Sequence, residues 1–159
     1  MKFEVCQGVT FIKSCDVISD CSDKDFDWDQ CDVVMLSVRR YMREELAPLQ
    51  TQFEEAGQPT RAAWLSLGSQ GLLGVNTPAE VGGVGGSFID EMIVCEEMSY
   101  ALCASPAVAL HATIAMPYIT HYGTKEQQEK YIPRMTSGEC VASIAMTEPD
   151  AGSDLQGDS

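Results

Sequence analysis

Basic residues are scarce in this chain of 159 residues. Ten Lys and Arg stand against 24 Asp and Glu, a formal net charge of −14 at pH 7. Such a surface repels a nucleic-acid backbone, and no local Lys/Arg cluster offsets it. An anionic membrane surface is disfavoured for the same reason. Long apolar runs are absent too, which excludes a helix spanning a bilayer. No two of the seven cysteines (Cys6, Cys15, Cys21, Cys31, Cys95, Cys103 and Cys140) stand in a CxxC pair. The odd count and the missing pairs exclude a zinc ribbon and argue against a disulfide scaffold. Reduced thiols in an intracellular compartment are expected. There are only two histidines, His111 and His121, ten residues apart. On a helix that is nearly three turns, too far for a shared metal ion. Each reads as a structural histidine, and no metal site is expected.

What remains is ordinary globular material, 45% hydrophobic and 21% charged. Residues 1–31 differ from the rest. The first 32 residues carry eight acids, three Lys and no Arg. They lack the apolar stretch of a secretory signal and the Arg-rich, acid-poor character of a mitochondrial transit peptide. A poorly ordered acidic tail is expected there.

From Asp29 the period becomes helical. Val34, Val38, Tyr41 and Met42 share one face, and Pro48 ends or kinks the helix. Thr60 is placed to cap a second helix through Trp64 and Leu67. The connector "AEVGGVGGS" invites a dinucleotide-binding reading, but the third required glycine is Phe88. A turn-rich loop is expected instead. Residues 87–102 form a helix with Ile89, Met92, Ile93, Met98 and Ala101 along its stripe. Glu96 and Glu97 lie within it but point about 100° apart and cannot share a proton. One is expected at the surface and the other hydrogen-bonded. Residues 104–122 are small and apolar, which lets neighbouring elements approach closely or leaves room for a ligand. Thr124 and Gln127 make a capping box for a further helix that stops near Ser137-Gly138. At Cys140 the pattern turns to near alternation, and "CVASIAMT" predicts a strand. A Pro/Gly/Ser/Asp turn follows.

The stretch "AMTEPDAGSDLQG", residues 145–157, resembles the first signature of the flavin-dependent acyl-CoA dehydrogenases. "GLLGVN", the Gly-rich connector, "IVCEEMSY" and "YITHYGTKEQQEKYIPRMTSGE" follow the family's order, so the resemblance covers about residues 33–157. Its flavour is that of the long-chain type. It implies a mostly α fold: an N-terminal helical bundle domain over 32–138, then the first strand of a middle β domain over 139–159. It also implies an FAD site, with Ile144, Ala145, Met146, Thr147, Glu148, Pro149, Asp150, Ala151, Gly152 and Ser153 beside the flavin and its diphosphate. Thr147 would hydrogen-bond the isoalloxazine near N5, and Ser153 would touch both the cofactor phosphates and the acyl-CoA. The chain departs from the family at Asp150, often glycine there, and Glu148, Asp150, Asp154 and Asp158 bring four negative charges near a diphosphate.

The implied reaction is FAD-dependent α,β-dehydrogenation of a long-chain fatty acyl-CoA in β-oxidation, with electrons passing to an electron-transfer flavoprotein. Family chains are homo-oligomers more than twice this length, and their catalytic Glu lies in a C-terminal portion beyond the equivalent of Ser159. A truncated chain, inactive by itself, is therefore expected. The resemblance implies the mitochondrial matrix. With no transit peptide visible, the cytoplasm is the alternative. A non-catalytic assembly or regulatory module that binds full-length subunits is the alternative function.

Overall fold

The structure, a computed structural model, describes residues 3–6, 9–12, 28–103, 105–149 and 152–154, with side chains from Asp32 onward. The chain divides into two units, Met1–Gln30 and Cys31–Ser159. In the first, β1 (Phe3–Cys6) pairs antiparallel with β2 (Val9–Ile12), and Phe3 stands opposite Ile12. Thus Phe3–Cys6 and Val9–Ile12, within the stretch expected as a tail, are paired strands.

The second unit is helical. α1 (Trp28–Tyr41) continues without a break through a π-helical turn (Met42–Leu46) and a 3₁₀ turn (Ala47–Leu49) into α2 (Gln50–Ala56). Pro48 falls in the 3₁₀ turn and interrupts the α-helical ladder rather than ending the helix, because the local change of pitch absorbs its missing N–H. Gly57 ends the run in the left-handed conformation, φ 68°. α3 (Arg61–Ser69) is capped by Thr60, whose Oγ1 accepts the Ala63 N–H at 3.2 Å. α4 (Phe88–Tyr100) starts from a capping box between Ser87 and Asp90. A π-helical stretch (Leu110–Ala115) leads into α5 (Met116–Tyr122). α6 (Lys125–Thr136) carries the expected Thr124–Gln127 capping box.

The apolar stripes meet in one main cluster. Val38, Met42, Leu46, Phe53, Trp64 and Leu67 form its centre, and Val94 and Met98 of α4 close it. Met116, Ile132 and Met135 make a smaller cluster beneath Cys140 and Ala142. Glu97 is buried, and Arg39 reaches it with both ends of its guanidinium, Nε to Oε2 at 2.8 Å and Nη2 to Oε1 at 2.7 Å. That fork ties α1 to α4. Glu96 is exposed. α3 and the end of α6 approach closely: a Cβ at Gly68 would overlap the Ser137 carbonyl.

The strand expected over 140–147 is not a ladder. Residues 141–147 have no regular secondary structure, and Glu148 makes an isolated bridge. Alternation specifies which face of a strand is buried, but a strand forms only beside another, and no described segment pairs with this one.

Candidate functional site

Two features carry chemistry. The first is a hollow of about 360 Å³ at the C-terminal end of α4. Cys95, Met98 and Ser99 line it from the last turns of the helix, Leu102 and Cys103 from the turn that follows, and Pro106 to Ala109 from the next helix start. The turn closes with the Leu102 N–H on the Ser99 carbonyl at 3.1 Å and the Cys103 N–H on the Met98 carbonyl at 2.9 Å. Leu102 sits in the left-handed region, φ 54°, a position that favours glycine, with 82% of its surface exposed. Gln50 of α2 anchors the main chain at Ser105, next to Pro106 of the lining. Its Nε2 donates to the Ser105 carbonyl at 2.6 Å and its Oε1 accepts the Ser105 N–H at 3.3 Å. Burial pushes the Cys95 and Cys103 thiols up from their ordinary value, with Glu91 adding to the effect at Cys95. Both stay protonated at neutral pH and serve as apolar wall rather than as nucleophiles. The small side chains of Ala107 and Ala109 leave the space open.

The second feature is the segment that leaves α6. The Cys140 N–H donates to the Arg134 carbonyl at 2.8 Å, and Arg61 donates to the Glu139 carbonyl. The Ala142 N–H donates to Nδ1 of His111 at 3.0 Å. Beyond Ala142 the chain opens to solvent. Ile144 is half-buried. Ala145, Met146, Thr147, Glu148, Pro149, Gly152 and Ser153 are exposed. Asp150 and Ala151 lie outside the described residues. Seven of the eight described members of the expected flavin set are therefore exposed, with Ile144 half-buried, and they do not line a closed pocket among the described residues. The Thr147 hydroxyl has no hydrogen-bond partner among the described residues, and a Cβ at Gly152 would meet nothing within 4 Å.

The glycine-rich connector is ruled out as a phosphate cradle by its own bonding. Gly83, Val84, Gly85 and Gly86 donate their N–H groups to the carbonyls of Pro78, Gly74, Thr77 and Val75 at 2.8 to 3.0 Å. A Cβ at Gly83 would overlap the Thr77 carbonyl, so the glycine is there for packing. Glu91 of α4 is buried. Burial raises its pKa, and a hydrogen bond from the Asn76 side chain opposes the rise. Among the described residues, no group of three or more His, Cys, Asp and Glu is placed to hold a metal ion. No described helix is long and apolar enough to cross a membrane.

Sequence reasoning marked the small residues of 104–122 as possible ligand space, and Ala107 and Ala109 are part of the hollow. It missed Gln50, whose partner is 55 residues away and leaves no local signal. It also missed Leu102, which looks like an ordinary apolar helix residue.

A family model described as the acyl-CoA dehydrogenase N-terminal domain matches residues 30–139. The mouse protein named long-chain specific acyl-CoA dehydrogenase, mitochondrial, is 50% identical over 126 residues, covering 79% of this chain and 29% of the mouse one. Bovine isovaleryl-CoA dehydrogenase, mitochondrial, is 35% identical over 125 residues, 75% of this chain and 29% of its own. An acyl-CoA dehydrogenase structure from Geobacillus kaustophilus superposes with a TM-score of 0.76 at 31% identity, over 82% of this chain and 34% of that one. One from Bacillus anthracis, complexed with FAD, gives 0.71 at 28% identity, over 86% and 23%. The chain thus spans about 29% of the length of the curated relatives it matches.

Proposed function

Because the chain belongs to the acyl-CoA dehydrogenase family, whose N-terminal domain it carries over residues 30–139, we propose that it serves the FAD-dependent α,β-dehydrogenation of a long-chain fatty acyl-CoA. The observation that carries the long-chain reading is 50% identity over 126 residues to the mouse enzyme of that name. FAD, when bound, accepts the hydride that leaves the β-carbon as a base removes the α-proton, so that a double bond forms between the two carbons. The α-proton is assigned to none of the described residues. This chain's part is to bind and orient.

The hollow at the end of α4 takes the acyl chain. Its protonated thiols, Met98, Leu102, Pro106 and Val108 offer an apolar lining of suitable size for a small-molecule site. Residues Ile144 to Ser153 face the flavin. Support for this is the exposed Thr147 hydroxyl, which has no hydrogen-bond partner among the described residues and can donate to a ring nitrogen or accept from one, and the space at Gly152 that no described residue fills. Main-chain N–H groups of the Gly152-Ser153 turn suit a diphosphate, and Ser153 is shared with the thioester. Glu148 and Asp154 oppose that anion, so the main-chain donors must outweigh them. Electron transfer to an electron-transfer flavoprotein, a homo-oligomeric assembly and the mitochondrial matrix complete the proposal. The mitochondrial relatives support the last of these.

The test is a series of CoA thioesters of rising chain length, titrated into the chain. Each added methylene should tighten binding by up to about fourfold until the hollow is full. Ala109→Trp, which fills the hollow, should abolish the increments. A dissociation constant independent of chain length contradicts the reading. A second reading, a non-catalytic module that binds full-length subunits, is favoured by one observation. Ile114, Tyr118 and Tyr122, spaced by four along a helical face, are 44%, 54% and 84% exposed. A mixed oligomer with a full-length homologue, lost in Tyr118→Glu, would support it.

A further inference from the structure

His111 is completely buried, although the flavin and acyl readings give it no task. It lies in the π-helical stretch between α4 and α5, and such stretches re-aim side chains relative to an α-helix. Its ring stands edge-on to Trp64 at 5.5 Å between centroids. Both ring nitrogens are engaged. Nδ1 accepts the Ala142 N–H at 3.0 Å, and Nε2 lies 3.1 Å from the Met135 carbonyl. A main-chain N–H can only donate, so Nδ1 carries no proton. Nε2 therefore carries it and donates to Met135. Geometry alone fixes the tautomer. Burial, which lowers the pKa of the ring, keeps it neutral.

The position of Ala142 gives this arrangement its consequence. From Ser137 to Ala142 the chain is held repeatedly, by close contact with Gly68, by Arg61 at Glu139 and by the Arg134 carbonyl at Cys140. Among the described residues, the His111 bond is the last hydrogen bond to the main chain before Thr147. We propose that His111 is the positioning residue of the flavin-facing segment: its neutral imidazole, protonated on Nε2, fixes the main chain at Ala142 and so sets where Thr147 stands. The part of this that concerns flavin depends on the function proposed above. The part that concerns the segment does not.

Two conservative variants separate the two ring contacts. Asn can place an acceptor near the position of Nδ1, and Gln a donor near that of Nε2. Amide hydrogen exchange in the full chain reads the bond directly. The Ala142 amide should be protected in the parent and in His111→Asn, and should exchange about tenfold faster in His111→Gln, the factor one buried hydrogen bond supplies. Ring ¹⁵N shifts of the unmutated chain should show an unprotonated Nδ1 beside a protonated Nε2, which keeps the test valid if a variant misfolds. A protonated Nδ1, or an Ala142 amide equally exposed in the parent and both variants, overturns the proposal. FAD affinity, followed in parallel, should fall in His111→Gln and be retained in His111→Asn. If the parent itself fails to bind FAD while the exchange pattern holds, the flavin reading fails and the positioning role stands.

Discussion

Replacing Arg39 by Met should be among the most damaging single changes in the helical unit. The Glu97 carboxylate that Arg39 holds is 1% exposed, and Arg39 itself is 21% exposed. Its guanidinium is held above its ordinary pKa chiefly by the hydrogen bonds to Glu97, so Arg39 stays charged at every working pH. Methionine keeps most of the apolar stem and removes the fork. Two charge-assisted hydrogen bonds disappear, and a buried carboxylate loses its counter-charge. Breaking a buried pair in this way costs about 3 kcal/mol. For a chain of this size that corresponds to a fall in Tm of about 8 °C. Removing both charges together, as Arg39→Met with Glu97→Leu, should return most of the loss. The desolvation cost of the carboxylate goes with the carboxylate, leaving the double variant within about 1 kcal/mol of the parent. Urea unfolding of the four members of this cycle, followed by circular dichroism, gives the coupling energy. A single-variant loss below about 1 kcal/mol, or a double variant that merely adds the two single losses, would refute the reasoning.

Further outcomes follow from the same structure. Leu102→Gly should raise the urea midpoint, with a gain of up to about 1 kcal/mol, because it relieves a left-handed residue while giving up little buried surface; a lower midpoint contradicts that account. Glu91→Gln should change the pH dependence of stability in one direction. The folded pKa of Glu91 is raised, so the unfolded chain ionises first, and its stabilising contribution is lost as pH rises from about 4.5 through the folded value. The variant should therefore gain on the parent at pH 7 and not at pH 4, in paired thermal melts. His111 acts with the opposite sense. Its folded pKa is lowered, so its contribution is intact above about 6.5 and is lost as pH falls through the folded value. His111→Asn should flatten that acid limb.

Much of the helical unit was legible in the residues because the determining signals are local. Thr60 and Thr124-Gln127 are capping arrangements within four residues of sequence, and each starts a helix in the structure. The stripe through Val38 and Met42 needs only the helical period, and both residues are buried. The expectation that Glu96 and Glu97 have different surroundings, one of them hydrogen-bonded, follows from their 100° separation, yet nothing near α4 in sequence points to Arg39, 58 residues away. Pairings of that span are chosen by the packing of whole helices. The expected strand shows the complementary failure. Alternation in 140–147 describes side-chain polarity, while a ladder requires a partner. The strand pair Phe3–Cys6 and Val9–Ile12 was not expected because the acidic charge of the first 32 residues outweighs the β-branched and aromatic character of "FEVC" and "VTFI". The candidate site divides along the same line. The run proposed to face the flavin is contiguous in sequence and could be read as a motif, whereas the hollow joins the end of α4 to residues 106–109, beside a Ser105 held by Gln50 of α2, and only the fold brings those together.

The measurement that bears most directly on the flavin-dependent reading is the visible absorption spectrum of the chain after incubation with FAD and desalting. The account predicts retained oxidised-flavin absorbance that is reduced in Thr147→Val and unchanged in Val33→Ala, a substitution at an exposed position of α1 outside the proposed site. A colourless protein, or retention indifferent to Thr147, would contradict the claim that residues Ile144 to Ser153 face the flavin.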